Sequence, residues 1–161
     1  MVEIIDNFLK EDDFNLIKKI FFSEQVNWFY SKNISEDIKE KDFGHNFLCH
    51  MIYKDNQIKS KYSQSVQPIL DKLNPKALIR IKVNMYLNQG KYITHRPHQD
   101  LPFKHKTALY YLNTNNGHTI IGEEKINSVE NRIILFDGSI EHSSTNCTDA
   151  HRRLNINFNY F

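Results

Sequence analysis

His98-Gln99-Asp100 places an imidazole and a carboxylate two positions apart, and a second imidazole, His142, and a guanidinium, Arg153, follow it. Two imidazoles and one carboxylate form the ligand set that holds non-haem iron on one face and leaves the opposite positions open. In an extended backbone, residues two apart project to the same side, so His98 and Asp100 can grip one ion without a turn between them. His142 must then arrive from another strand. Eight His and ten Asp in 161 residues supply roughly half a His-x-Asp match by chance, so the pair gains meaning from its surroundings.

The last apolar segment adds the strongest of these. Leu154, Ile156, Phe158 and Tyr160 alternate with Arg153, Asn155, Asn157 and Asn159, so Arg153 and the asparagines share one face while Arg152 points the other way. The plain reading is a strand with a wet polar face, since buried arginine is rare. The functional reading is a guanidinium in a barrel-like cavity. Such a group needs an anionic partner, and its planar fork suits a carboxylate.

Other candidates carry less. His45, His50, His105, His118 and His151 have no carboxylate at ligand spacing and read as surface or hydrogen-bonded core groups. Asn115-Asn116-Gly117 and Asp137-Gly138 read as turn chemistry. Trp28-Phe29-Tyr30 reads as core in preference to a stacking platform for bases. Cys49 and Cys147 fit neither a zinc nor a nucleophile pattern, and two cysteines are too few for a disulfide framework.

The elements that must position these groups change character along the chain. Residues 2–5 read as a strand, and Glu11–Phe22 reads as a helix with Phe14, Ile17, Ile20 and Phe21 on one stripe. The polar stretch 31–41 reads as a loop and a candidate lid. A strand over 47–53 and a helix over 65–73, with Pro68 in its first turn and Asn74-Pro75 as its stop, complete the supporting part, 1–76. From 77 onward the period becomes two. Strands are expected at 79–87, 107–112, 119–121, 132–136 and 153–160, with turns at 113–117, 122–125 and 137–138. Short strands without helix-length gaps favour an antiparallel sandwich or jelly roll, a double-stranded β-helix with flanking helices. The expectation is one domain over 1–161, its core and site within 77–161.

Composition narrows the classes. Forty per cent hydrophobic content in 161 residues suits one core, and a net charge of +2 supplies no electrostatic case for nucleic acid or an acidic membrane. No apolar run reads as a signal peptide or a membrane span, so the expectation is a soluble chain in a reducing cytosol. Abundant Asn, Lys and Ile fit an AT-rich genome such as many phages have.

The run from Arg80 to the C-terminus resembles the 2-oxoglutarate- and Fe(II)-dependent dioxygenases, and within them the prolyl 4-hydroxylase-like group with its short phage-carried members. The matching pieces are Asn84-Met85-Tyr86, His98-Gln99-Asp100, the strand Thr107-Ala108-Leu109-Tyr110-Tyr111-Leu112-Asn113, Asn116-Gly117-His118-Thr119, Asn131-Arg132-Ile133-Ile134-Leu135-Phe136-Asp137-Gly138, His142 and Arg153-Leu154-Asn155-Ile156-Asn157-Phe158. Ile4-Ile5-Asp6-Asn7-Phe8-Leu9 is similar to the opening of many such proteins. The resemblance implies His98, Asp100 and His142 as iron ligands and Arg153 as partner of the distal carboxylate of 2-oxoglutarate. It further implies Tyr111 as a donor to that carboxylate, Tyr86 as a second tyrosine near the co-substrate, and Thr119 and Asn157 as pocket lining. The approach to His98 is longer than in many prolyl hydroxylases and contains His95, which has Pro97 where the adjacent carboxylate would stand.

What the resemblance implies chemically is an oxygenase that uses iron, 2-oxoglutarate and O2, with ascorbate as an additive in vitro. It would release succinate and CO2 while hydroxylating a substrate. A protein side chain such as proline is the first substrate class, and a nucleobase, from the Asn84-x-Tyr86 and Arg153-x-Asn155 signatures, is the second. A non-catalytic metal-binding jelly roll is the reading from another class; a cupin with a different metal is weaker, because the sequence has no His-x-His.

Overall fold

The computed structural model describes residues 2–32 and 45–161. The candidate lid at 31–41 therefore lies, from residue 33 onward, outside the described residues. The chain runs β1 (Glu3–Ile5), α1 (Glu11–Phe22), β2 (Phe29–Ser31), β3 (Phe47–Lys54), β4 (Gln57–Ile58), a 3-10 turn (Ser63–Val66), α2 (Gln67–Leu73), β5 (Leu78–Leu87) and β6 (Lys106–Tyr111). It continues with β7 (His118–Ile121), β8 (Glu124–Asn127), β9 (Ile133–Asp137), β10 (His142–Ser144) and β11 (Arg152–Tyr160). Every strand pairing is antiparallel.

The strands form two sheets. The larger follows the order β1-β9-β6-β11-β5-β3-β2 with β4 on β3, and the smaller is β10-β7-β8. Alternation in the central strand β11 creates the layering. Leu154, Ile156, Phe158 and Tyr160 join the core beneath the helices with Phe14, Ile17, Phe21 and Ile69, whereas Leu109, Tyr111, Ile134 and Phe136 of the large sheet meet Ile121 and Ile126 of the small one. Both faces of the large sheet are thus covered, and the polar residues of β11 lie between the sheets. This is the expected jelly roll with helices on its outside.

Local chemistry explains the outer elements. Helix α1 has no side-chain cap at Lys10, but Glu11, Asp12 and Asp13 occupy its first turn and Lys19 its last, which complements the helix dipole. Helix α2 begins at Gln67 after the 3-10 turn, later than the sequence reading, with Pro68 in its first turn and Asn74 left-handed at its end. Asn131, also left-handed, ties the N-terminal segment down: its side chain accepts from Leu9 N (2.9 Å) and Tyr110 Oη (2.7 Å) and donates to Leu9 O (3.0 Å).

Three expectations are corrected. Phe29 and Tyr30 lie on β2 and are 63% and 65% exposed, because β2 is the edge of the large sheet and only Trp28 reaches the core. The turn expected at 122–125 is confined to its first half; Glu124 and Lys125 pair with Ile121 and Ile120, and Gly122 supplies the positive φ of the hairpin. His98 and Asp100 lie on an irregular segment held by isolated bridges, not in a continuous strand. No described helix is long and apolar enough to cross a membrane.

Candidate metal and co-substrate site

An isolated antiparallel bridge brings the two histidines together. His98 N donates to His142 O (2.9 Å) and His142 N to His98 O (3.0 Å), which sets the residues directly opposite each other. Their rings lie 4.7 Å apart. Asp100, two residues beyond His98, turns to the same side, and one ligand atom from each of the three lies within 4.8 Å of the others. Among the described residues this is the one cluster of three or more His, Cys, Asp or Glu side chains that could hold a metal. His142 Nδ1 faces Ile140 O at 3.1 Å and His98 Nδ1 faces Arg96 O at 3.4 Å. A carbonyl only accepts, so both rings are steered to carry the proton on Nδ1 and present the Nε2 lone pair. Burial, and then the neighbouring His142, lower the His98 pKa to about 4, with Asp100 pulling the other way. The ring is therefore neutral near pH 7, the form a metal requires.

Asp100 is fixed from behind. Its Oδ1 accepts from Arg80 (2.8 Å), and its Oδ2 accepts from Asn157 (2.8 Å) and Asn159 (3.0 Å). Burial alone would raise this carboxyl, but Arg80, His142, Lys82 and Asn157 together hold it well below the usual range. The anionic form is thereby favoured. Arg80 also donates Nε to Asn159 (3.1 Å), so the clamp is a network that orients a ligand. The sequence reading missed Arg80 and the role of Asn159. Strand parity puts both on inward faces, Arg80 with Asn84 and Tyr86 and Asn159 with Arg153, but only the register of the β5–β11 ladder sets Asn159 opposite Arg80.

At the other end of the same ladder Arg153 pairs with Tyr86. Arg153 has no exposed surface. Its Nε donates to Ser128 Oγ (2.7 Å), Nη1 to Thr145 O (3.1 Å) and Nη2 to Thr119 Oγ1 (2.9 Å), while the guanidinium lies 5.3 Å from the Tyr86 ring centre and 5.6 Å from that of Tyr111. All three acceptors are neutral, and among the described residues no carboxylate pairs with it. An uncompensated buried charge costs several kcal/mol, so this cation calls for an anion. Tyr111 Oη donates to Thr119 Oγ1 (2.8 Å), which joins Tyr111, Thr119 and Arg153 in one cluster. Gly117 permits it: a Cβ there would stand 2.6 Å from Arg153 Cδ and from Asn146 O. Arg152 faces the opposite side, donating to Phe22 O (2.9 Å) at the end of α1.

Between the two clusters is a cavity of about 30 Å³ lined by His98, Asp100, His142, Thr119, Asn84 and Asn157, with Tyr86, Phe47 and Lys82 among its walls. Asn84 Oδ1 and Asn157 Oδ1 are buried there without partners, which is where a polar ligand would be expected. Burial first, and then Arg80, push Lys82 down to about 8. The three candidate ligands line this cavity and Arg153 is joined to it through Thr119; their donor chemistry matches a metal ion and a dianion such as 2-oxoglutarate.

Three of the other histidines have partners away from the metal cluster. His50 bridges Asn27 O (2.8 Å) and Ser60 Oγ (2.7 Å), and His105 Nδ1 lies 2.8 Å from Phe103 O. His95 is buried, contacts Ser144 Oγ (2.8 Å) and stacks on Tyr86 with ring centres 5.1 Å apart. It stays outside the metal cluster.

No family model and no curated protein matches the sequence. Solved structures do match the fold. A prolyl hydroxylase from Trichoplax adhaerens, in complex with a hypoxia inducible factor oxygen degradation domain peptide, is 18% identical over 99% of this chain and 83% of its own, with a TM-score of 0.67. A 2OG-Fe(II) oxygenase family oxidoreductase from Burkholderia pseudomallei is 12% identical over 99% and 83%, with a TM-score of 0.69. The non-heme alpha ketoglutarate dependent epimerase SnoN from nogalamycin biosynthesis is 14% identical over 99% and 77%, with a TM-score of 0.68. The chain has the jelly-roll fold of the 2-oxoglutarate- and Fe(II)-dependent oxygenases, prolyl hydroxylases among them.

Proposed function

We propose that this protein is an Fe(II)- and 2-oxoglutarate-dependent dioxygenase. The observation that carries the reading is a three-residue cluster able to hold a metal in the same cavity as Thr119, which holds the fully buried, acid-free Arg153. The fold is shared by proteins that act on a peptide and by one that epimerises a small molecule, so the fold supports the reaction class more strongly than any substrate.

His98, Asp100 and His142 would hold the iron, which together with 2-oxoglutarate as reductant and O2 as oxidant would supply the chemistry for attack on a C–H bond. Each side chain then has a task of its own. Arg80, Asn157 and Asn159 keep Asp100 anionic and aimed inward. Arg153 and Tyr111 receive the distal carboxylate, while Thr119 and Ser128 hold the guanidinium plane in place to meet it. Tyr86, stacked between Phe47 and His95, forms a rigid wall that fixes the direction of the co-substrate. The covered sheets exclude water from the reacting centre. No separate acid or base is required.

A protein side chain, with proline the first candidate, is the substrate class to screen first. It rests on the resemblance to prolyl 4-hydroxylases and on the peptide-bound neighbour. Incubation with Fe(II), ascorbate and 2-oxoglutarate should release succinate, and His142→Ala should abolish the release. Absence of succinate from iron-loaded wild type over every substrate class would reject the enzyme.

A further inference from the structure

Lys82 has appeared so far only as a wall of the cavity and as one of the charges that favour the ionised Asp100. Its position on β5, between Arg80 and Asn84 on the inward face, puts it opposite Asn157 in the ladder, and Asn157 binds Asp100. The side chain lines the cavity beside His98 and Asp100. Its ammonium lies 5.1 Å from the centre of the Phe47 ring. Among the described residues it has no hydrogen bond to an acceptor and no ion pair, because the single acid of the cavity, Asp100, is saturated by Arg80, Asn157 and Asn159. A half-buried ammonium beside another cation, with only an aromatic face to offset it, is an incomplete arrangement.

The distal carboxylate of the co-substrate does not complete it, and the other end of the co-substrate would be taken up by the metal. Arg153 stands across from Tyr86, four residues along β5 from Lys82, a strand rise of about 13 Å. Even with 2-oxoglutarate bound at Arg153 and the metal, Asp100 and the two carboxylates of the co-substrate carry fewer negative charges than the divalent ion, Arg80, Lys82 and Arg153 carry positive ones. In a partly buried cavity that imbalance favours a further anion.

We infer that Lys82 is the substrate anchor, and that the molecule oxidised here carries an anionic group, a carboxylate or a phosphate, which pairs with the Lys82 ammonium beside the metal. This rests on the reading of the site as a 2-oxoglutarate oxygenase and narrows its substrates to acidic ones. Lysine suits the role because its flexible stem can withdraw from a cavity of about 30 Å³ as the substrate enters.

The test uses binding, with Co(II) replacing iron to prevent turnover. 2-Oxoglutarate is titrated first, then acetate and inorganic phosphate are titrated into the metal–2-oxoglutarate protein and into the protein with metal alone, followed by NMR. The expected result is that at least one anion binds wild type and Lys82→Arg, and binds Lys82→Met tenfold or more weakly, while affinity for 2-oxoglutarate stays within twofold. Whichever anion responds identifies the group. Equal anion binding by Lys82→Met, no anion binding by wild type, or a tenfold loss of 2-oxoglutarate affinity in Lys82→Met would each overturn the assignment. Failure of wild type to bind 2-oxoglutarate would instead reject the oxygenase reading, with the metal-alone arm still reporting on Lys82.

Discussion

Arg153 shows how one side chain can hold two kinds of information. Its neutral hydrogen-bond partners fix its plane, and the missing acid defines what must come to it. Arg153→Leu should therefore raise the dissociation constant for 2-oxoglutarate by thirtyfold or more, from the roughly 2–5 kcal/mol lost when one partner of a buried charged pair is truncated. Arg152→Leu, which loses a hydrogen bond to Phe22 O and a contact over the Phe22 ring on the opposite side of the strand, should change it less than threefold; calorimetry on metal-substituted protein separates the two. Equal effects would show that the strand parity has been misassigned. For Asp100, Asn159→Ala removes one of the two donors to Oδ2, and tenfold or more in metal affinity is the expected loss, measured by competition with a chelator.

At the level of elements, β5 and β11 carry most of the site, and this is where the sequence was most readable. Strict alternation puts Arg153, Asn155, Asn157 and Asn159 on one face of β11, and the structure places that face between the sheets while Leu154, Ile156 and Phe158 join the helices. Period two cannot reveal register. Only the ladder pairs Asn159 with Arg80 and Lys82 with Asn157, so the clamp on Asp100 and the lysine beside it stayed hidden in the sequence. The exposed aromatics of β2 were misread for a related reason: propensity identifies an apolar strand but not its place at the edge of a sheet. Gly117 belongs to this scale too. Gly117→Ala should destabilise the protein by about 1–3 kcal/mol through overpacking, seen as a lower urea midpoint, and should weaken 2-oxoglutarate binding because the displaced group is Arg153. An unchanged midpoint and affinity would mean that the hairpin yields without moving the guanidinium.

For the whole molecule, the buried histidines set a pH dependence. Burial, followed by the charges of Arg153, His45 and His98, lowers the pKa of His95 to about 3, whereas an unfolded imidazole titrates near 6.5. The folded state thus resists a proton that the unfolded chain accepts, and stability is full above the unfolded pKa and falls as the pH drops below it. His95 alone should remove about 2 kcal/mol between pH 6.5 and pH 5. Urea denaturation across that range should show the slope, and His95→Gln should flatten it. Helix α1 packs away from the site: Phe21, fully buried under the large sheet, should cost about 3–5 kcal/mol as Phe21→Ala while metal stoichiometry in the folded fraction stays unchanged.

The predictions for Arg153 and Asn159 depend on the cavity holding a metal and 2-oxoglutarate together, and anaerobic titration of the purified protein tests that most directly. Wild type should bind one Fe(II), and 2-oxoglutarate added afterwards should change the visible absorption of the iron with one-to-one stoichiometry, an effect abolished in His142→Ala and shifted to much higher concentration in Arg153→Leu. If wild type binds neither iron nor 2-oxoglutarate, or if Arg153→Leu binds 2-oxoglutarate as tightly as wild type does, the account of this site is wrong.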